Sequence, residues 1–321
     1  MRRDCSFAIV REVRSSMAFV QSPLNYTGGK AKLLPQILPL FPKKINTFVD
    51  LFCGGCNVGL NVNATTTVYN DLDRNLMYLY HTLKNLDKQA VFEWVYQIID
   101  KYGLSLVSVN GYDHYNCDSS DGLGSYNRDK FLKLRDDFNN KLSEDYYYYI
   151  VLYVLIVYAF NNQIRFNSSG HFNLPVGKRD FNSKMAEKLS LFIDRIHEQD
   201  CCFTCQDFRD FDIDTLSQED FVYADPPYLI TCATYNEQDG WNLQAEQDLL
   251  DFLDKLTKKH IRFALSNVLR SKGKENQLLI QWVEKNSDKY KVIHLDYNYA
   301  NSNYQTKDKS KSSEEVLIIN Y

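Results

Sequence analysis

The sequence predicts an α/β fold, a doubly wound sheet of seven strands into which a mostly helical lobe is inserted. Short apolar runs bounded by turn residues recur along the chain, and helical patterns with a period of about 3.6 residues join them. That alternation stops between residues 73 and 181, where helical patterns follow one another with no strand among them. Such a block between two strands of one sheet reads as a separate lobe.

At 321 residues the chain can hold one large domain, or a domain with an insert, around a substantial core. A formal charge of −4 gives no global attraction to nucleic acid, so any surface that binds it has to be a local basic patch. Met1-Arg2-Arg3-Asp4 is not followed by a sustained apolar segment, so no secretory signal is expected. The longest apolar stretch, residues 146–160, falls short of the roughly 20 residues that span a bilayer. It is also rich in Tyr, so a buried helix in a cytoplasmic protein is expected. Among eight cysteines, Cys53 with Cys56 and Cys202 with Cys205 have the spacing of zinc ligands. The first pair lies in a glycine-rich turn, however, and the second on an apolar strand whose i and i+3 side chains face opposite ways. No metal is expected, and the cysteines are read as reduced and buried.

Residues 1–19 show no periodicity and read as a peripheral N-terminal extension. Asn25-Tyr26-Thr27-Gly28-Gly29-Lys30 then leads into a helical pattern at Leu33, Leu34, Ile37 and Leu38. Glycines at a helix entrance let free N–H groups meet an anion, and Lys30 adds positive charge. Residues 45–52 read as a buried strand, followed by the turn Cys53-Gly54-Gly55-Cys56-Asn57-Val58-Gly59 and a helix. Strand, glycine-rich turn and helix form the nucleotide-cradling unit of doubly wound folds. Neither the dinucleotide G-x-G-x-x-G spacing nor the P-loop pattern is present. Residues 66–71 form a second strand ending in Asp71, close to the offset of about 20 residues at which an acid binds ribose hydroxyls. A nucleoside ligand without a triphosphate is implied.

The insert carries helical patterns at 76–83, 90–99, 129–142 and 146–160, with a polar loop at 110–126. It ends in residues 161–182, where amides, Arg and aromatic side chains interleave. Asn and Gln pair bidentately with adenine and Arg with guanine, so this segment suits base-edge reading and phosphate contact. Alternation resumes with a helix through Met185, Leu189, Phe192, Ile193 and Ile196 and a strand at 201–205. The next strand, 221–224, stops at Asp225-Pro226-Pro227-Tyr228 because proline offers no N–H and fixes φ. In an open α/β sheet the carboxyl end of a strand is where ligands sit. There Asp225 and the Pro226 carbonyl can accept from an exocyclic amine while Tyr228 stacks on a flat ring. A helix at 243–256, a strand at 261–265 and a helix at 277–284 follow. The last two strands, 291–295 and 315–319, are joined without a helix and so pair antiparallel. Their connecting loop carries Lys307, Lys309 and Lys311, which read equally as a solvated loop or as phosphate contacts.

Five motifs in this order resemble those of the Dam-like (D12 class) DNA adenine-N6 methyltransferases, over nearly everything after residue 24. They are Tyr26-Thr27-Gly28-Gly29-Lys30, Asp50-Leu51-Phe52-Cys53-Gly54-Gly55, Asn70-Asp71, Arg165-Phe166-Asn167 with Gly170, Phe172-Asn173 and Pro175, and Asp225-Pro226-Pro227-Tyr228. The resemblance implies a Rossmann-like methyltransferase sheet that binds S-adenosylmethionine, with an inserted target-recognition domain. It implies a catalytic domain made of residues 20–77 and 182–321 and a DNA-binding domain at 78–181. Tyr26 and Lys30 would hold the methionine end of the cofactor, Asp50, Phe52, Gly54 and Gly55 would line its pocket, and Asp71 would bind its ribose. Asp207 and Phe208 would meet its adenine. Asp225, Pro226 and Tyr228 would hold the target base, with Asp225 also bordering the cofactor. Asn162, Gln163, Arg165, Asn167, Pro175, Lys178, Arg179 and Lys307 would contact DNA, Arg165 reading a guanine. Gln163 stands where several relatives carry an apolar residue, and the Cys-Gly-Gly-Cys turn departs from the commoner form. The implied activity is methyl transfer to N6 of a flipped adenine in duplex DNA, within a short palindrome such as GATC. The alternatives are an amine of RNA, cytosine N4 or a protein glutamine, or a DNA-binding regulator without catalysis. Expected partners are double-stranded DNA and a cognate restriction endonuclease, with no membrane and a monomer or weak dimer as the working state.

Overall fold

The computed structural model describes residues 19–26, 28–141, 143–231, 240–296 and 313–321. β1 (Thr47–Asp50), β2 (Thr66–Asn70), β3 (Cys201–Thr204), β4 (Phe221–Ala224) and β5 (Arg262–Ser271) pair in parallel. β8 (Glu314–Ile319) lies antiparallel between β5 and β7 (Lys291–Leu295), so the order is β3-β2-β1-β4-β5-β8-β7. The sequence missed an eighth strand, the two-residue β6 (Lys274–Glu275), which hairpins back onto an extended end of β5. β4 is buried along its whole length, as a central parallel strand must be.

The chain passes from β1 outward to β2 and β3, then returns to β4 on the other side of β1. The carboxyl ends of β1 and β4 therefore lie side by side at the point where the winding reverses. Asp50 is in register with Tyr223, and Leu51 N–H donates to the Tyr223 carbonyl at 2.9 Å. In open α/β sheets ligands bind at such switch points, and here the motifs that follow β1 and β4 meet.

Two expected helices are reduced to turns. Lys30–Lys32 is a 3-10 turn and α1 (Leu34–Ile37) a single α-helical turn, because Pro39 has no N–H to give the Pro35 carbonyl. After the glycine-rich turn only the 3-10 segment Gly59–Asn61 forms. Neither glycine motif opens a long helix, so helix dipoles contribute little at this site.

The insert is built around α6 (Tyr146–Tyr158), which is apolar on all sides and buried from Tyr148 onward. Asp145 caps it by accepting from Tyr148 N–H at 2.8 Å. Around it pack α2 (Arg74–Asn85), α3 (Lys88–Tyr102) and α5 (Gly124–Asn139), with α4 (Val107–Asn110) a single turn. α7 (Ser183–Glu198) returns the chain to the sheet. One continuous core joins Phe131, Leu134 and Tyr153 of these helices to Tyr69 of β2 and Leu60. The domain boundary expected at 77/78 falls inside α2, whose Leu76, Met77, Leu79, Tyr80 and Leu83 all belong to that core. On the other face α8 (Leu243–Lys258) and α9 (Gln277–Lys285) bury Leu249, Leu253 and Trp282 against Val49 and Val222. No described helix is long and apolar enough to cross a membrane.

Candidate active site

At the end of β4 the Asp225 carboxylate is 18 % exposed and every hydrogen bond it makes among the described residues falls on Oδ1. Oδ2 makes none among the described residues. The Pro226 carbonyl likewise accepts no hydrogen bond among the described residues. Tyr228 turns back so that its hydroxyl lies 3.1 Å from Asp225 Oδ1 and 3.1 Å from Glu315 Oε1.

Lys30, expected to meet an anionic ligand, is instead 5 % exposed and committed to protein carboxylates. Its Nζ is 2.9 Å from Asp225 Oδ1 and 3.6 Å from Glu315 Oε1, donates to the Gly28 carbonyl at 3.2 Å, and sits 4.8 Å from the Tyr228 ring centroid. Sequence reasoning missed Glu315, because β8 must first slot in beside β5 to carry it to β4's end. No local signal marks it.

The loop that supplies Lys30 also touches the glycine-rich turn. A Cβ on Gly54 would stand 2.6 Å from the Tyr26 ring, and Gly54 holds φ +44, so both space and backbone demand glycine. Gly54 N–H donates to Asp71 Oδ2 at 2.9 Å, and Asp73 N–H donates to Oδ1 at 3.0 Å. Tyr26 and Lys30 thus tie the turn after β1 to the carboxylate after β4. Gly55 lies under Tyr26 Cβ and Ser22.

Asp50, at the end of β1, accepts from Gly59 N–H at 3.2 Å. Burial pushes its carboxyl up to about 8 despite that bond, and the charges of Asp225 and Asp71 add to the rise. Burial raises Asp71 as well, against its backbone hydrogen bonds. It also raises Asp225 and Glu315, Lys30 opposing in both cases. Lys30 pairs with Asp225 and Glu315, and among the described residues no basic side chain pairs with Asp50 or Asp71. A cationic ligand beside these carboxyls would favour their ionised forms.

Beside it stands an aromatic wall. Phe52 lies 5.4 Å from Phe208 and 5.6 Å from Trp241, and Phe208 and Trp241 are 5.7 Å apart. Trp241, a residue the sequence reading passed over, is fixed by its Nε1–H donating to the buried Glu246 at 2.6 Å. Asp207 opens the 3-10 turn Phe208–Asp210 and accepts from Arg209 N–H, and its other oxygen pairs with Arg209 Nη1 at 2.8 Å. Cys53 and Cys56 are buried in the turn, whereas Cys202 and Cys205 are exposed, contrary to the expectation of burial. Among the described residues no three His, Cys, Asp or Glu side chains gather as for a metal.

The segment after α6 is a hairpin, bridged at Ala159 to Val176 and at Phe166 to Phe172. Arg165 is exposed, with Nε on Asn173 Oδ1 at 2.7 Å and Nη2 on the Asn173 carbonyl at 3.2 Å. Pro175, Lys178 and Arg179 are exposed on the same hairpin, and Gln163 is partly buried. Two amides differ from expectation. Asn162 is buried, its Nδ2 donating to the Val157 carbonyl and its Oδ1 accepting from Asn25 at 3.2 Å, so its amide is engaged within the chain. The turn there is tight, with φ 55 at Asn161 and φ 52 at Asn162. Asn167 spends its Oδ1 on the N–H groups of Ser169 and His171, closing the hairpin tip. Phe160, 49 % exposed at the hairpin's foot, went unremarked in the sequence. Lys307 lies outside the described residues.

The sequence profile of the D12 class N6 adenine-specific DNA methyltransferases matches residues 26–301. The chain is 42 % identical over 310 residues to the type II methyltransferase M.FokI of Planomicrobium okeanokoites, covering 95 % of this chain and 43 % of that protein. It is 41 % identical over 315 residues to the modification methylase StsI of Streptococcus sanguinis, covering 96 % of this chain and 44 % of that one. With the DNA adenine methylase of Escherichia coli (strain K12) it shares 25 % identity over 249 residues, 76 % of this chain and 79 % of that protein. The chain therefore spans less than half the length of the first two relatives. With motifs, sheet order and profile in agreement, the chain belongs to the family of D12 class N6 adenine-specific DNA methyltransferases.

Proposed function

We propose that this chain transfers a methyl group from S-adenosylmethionine to the exocyclic N6 amine of an adenine flipped out of duplex DNA. The observation that carries this reading is the Asp225-Pro226-Pro227-Tyr228 corner opening onto an acid-rich crevice at the β1/β4 switch point. Asp50 and Asp71 suit a cofactor bearing an ammonium, a sulfonium and ribose hydroxyls, and the Phe52, Phe208 and Trp241 wall suits its adenine. Tyr26 and the Gly54-Gly55 turn border the same space. When bound, S-adenosylmethionine supplies an electrophilic methyl on sulfur.

The amine of adenine is a poor nucleophile because its lone pair is delocalised into the ring. Asp225 Oδ2 and the Pro226 carbonyl, both unengaged among the described residues, would accept its two hydrogens and favour a pyramidal nitrogen. Tyr228 would stack on the base and offset part of the few kcal/mol that flipping costs. With the lone pair so directed, the nitrogen would accept the methyl that S-adenosylmethionine supplies, and Asp225 or water would take the proton that the amine, made acidic by methylation, gives up. Orientation and fixed electrostatics, more than basicity, account for the rate.

The exposed Arg165, Pro175, Lys178 and Arg179 support the hairpin as the DNA-reading element, with Lys178 and Arg179 as phosphate contacts. GATC, the site suggested by the family resemblance, is the sequence to assay first. Relatives named as modification methylases support a partner endonuclease of the same specificity.

The test is transfer of tritiated methyl groups to DNA, RNA and protein, alongside calorimetric titration of the cofactor. Asp225→Ala is expected to abolish transfer to DNA while cofactor affinity stays within a few-fold. Methylation of RNA or protein in place of DNA, or equal loss of cofactor binding in the variant, overturns the assignment.

A further inference from the structure

We propose that Glu315 is a positioning residue of the active site, holding Lys30 and the Tyr228 hydroxyl so that Asp225 remains a strong acceptor for the substrate amine. The inference rests on the function proposed above. Glu315 comes from β8, where it is in register with Val268 of β5 and Leu295 of β7, and it is 5 % exposed. Its Oε1 faces the same two groups as Asp225 Oδ1: Lys30 Nζ at 3.6 Å and Tyr228 OH at 3.1 Å. The four groups form a closed diamond, two carboxylate oxygens on opposite corners and the ammonium and hydroxyl between them.

A phenol has one hydrogen, so Tyr228 can donate to only one of the two carboxylates at a time. With Glu315 present, that hydrogen and part of the lysine's charge are drawn away from Asp225. Without the Glu315 charge, both would settle on Asp225, and its oxygens would attract an amine hydrogen less strongly. A second acceptor also fixes Tyr228 from two sides, which holds the ring as a platform for the base. A purely structural acid on β8 would need none of this, since it could pair with a lysine on the surface.

Among the described residues, Asp225 faces Lys30 from the loop before α1, Tyr228 from its own segment, Tyr223 from β4, Asp50 from β1 and Glu315 from β8. Burial disfavours its ionised form, Lys30 and the Tyr228 hydroxyl favour it, and the Asp225 charge in turn raises Glu315 and Asp50. With the Glu315 charge gone, the Lys30 ammonium and the Tyr228 hydrogen are no longer shared and both serve Asp225, which extends its ionised range to lower pH.

The experiment compares Glu315→Gln, an isostere that keeps the hydrogen-bond acceptor, with Glu315→Asp and with Asp225→Ala as the control. It measures kcat and KM for DNA and cofactor across pH, cofactor affinity by calorimetry, and thermal stability. Glu315→Gln is expected to lower kcat at the pH plateau about tenfold, less than the roughly 10²–10³ of losing a donor that touches the reacting atoms, because Glu315 acts through Lys30 and Tyr228. Its KM for cofactor should stay within about twofold, and the acidic limb of its kcat profile should move to lower pH. Glu315→Asp, which restores the charge, should recover part of kcat and return the limb toward the wild-type position. A Glu315→Gln enzyme with unchanged kcat and an unmoved acidic limb overturns the proposal, as does a parallel loss of stability and cofactor affinity with no change in the limb. In either of those cases an inactive Asp225→Ala leaves the methyltransferase reading standing, whereas an active one removes the reading itself.

Discussion

Asp50 is buried at the end of β1 with a single hydrogen bond among the described residues, from Gly59 N–H. In the unfolded chain its carboxyl loses its proton near pH 4, as free aspartates do at about 3.9. Folded and without a cationic ligand, it keeps the proton up to about 8. Across that window the folded state binds the extra proton, so stability falls as pH rises from about 4 to 8, by an amount on the order of a few kcal/mol. Asp71, Asp225 and Glu315 are raised by burial too and tilt the curve the same way. Asp50→Asn keeps an acceptor for Gly59 and carries no charge, so its melting temperature should drop less between pH 5.5 and pH 8 than that of the wild type. Thermal melts of cofactor-free protein at the two values decide it, and parallel pH slopes would contradict the account. This residue was legible from the sequence as part of a motif, but its missing counter-charge was not. Lys30 illustrates why: it reads as a free cation beside glycines, yet Asp225 and Glu315, far away in sequence, claim its charge in the fold.

At the level of elements, the hairpin that presents Arg165 is stitched to the end of α6 through backbone. Gly177 N–H donates to the Tyr158 carbonyl at 2.7 Å and Phe160 N–H donates to the Pro175 carbonyl at 2.9 Å. A Cβ on Gly177 would stand 2.4 Å from the Ala159 carbonyl oxygen and 2.8 Å from its carbon, and neither atom can swing aside as a side chain would. Gly177→Ala should therefore push the returning strand off α6 and cost about 1–3 kcal/mol. DNA affinity, read by fluorescence anisotropy, should fall while cofactor affinity holds; an unchanged melting temperature with full DNA binding would sink the idea. The strands themselves were readable because apolar runs such as Phe221–Ala224 end at residues that cannot continue a ladder, here Pro226 and Pro227. The helices of the insert were readable from their apolar period. Two short helices were overcalled where Pro39 and the Gly59 turn break the backbone pattern, and β6 was missed because two exposed residues carry no periodic signal. Asn162 and Asn167 were assigned to DNA because an amide's chemistry is visible in sequence whereas the direction it points is not.

Across the whole molecule, the insert and the sheet are less separable than the order of elements suggests. A strandless block of this length reads as an independent lobe, and its termini do sit together on one side of the sheet, between β2 and β3. Yet α2 serves both parts at once. Met77 and Tyr80 belong to the core that contains Tyr69 of β2, and α2 also packs along α6 at the centre of the insert. The Tyr80 hydroxyl even donates to the Gly54 carbonyl of the glycine-rich turn at 3.0 Å. A cut near residue 78 would expose a continuous apolar face on both fragments, and at about 25 cal/mol per Å² a face of several hundred Å² outweighs the marginal stability of either one. The chain should therefore unfold in one cooperative transition, with matching calorimetric and van't Hoff enthalpies, although chains of this size commonly populate intermediates. Residues 78–181 expressed alone should give no dispersed amide spectrum. Two resolved calorimetric peaks, or a folded fragment, would show that the recognition helices own a core of their own. In that case α2 would be a linker and not, as its buried face argues, the strut that holds the insert against the sheet.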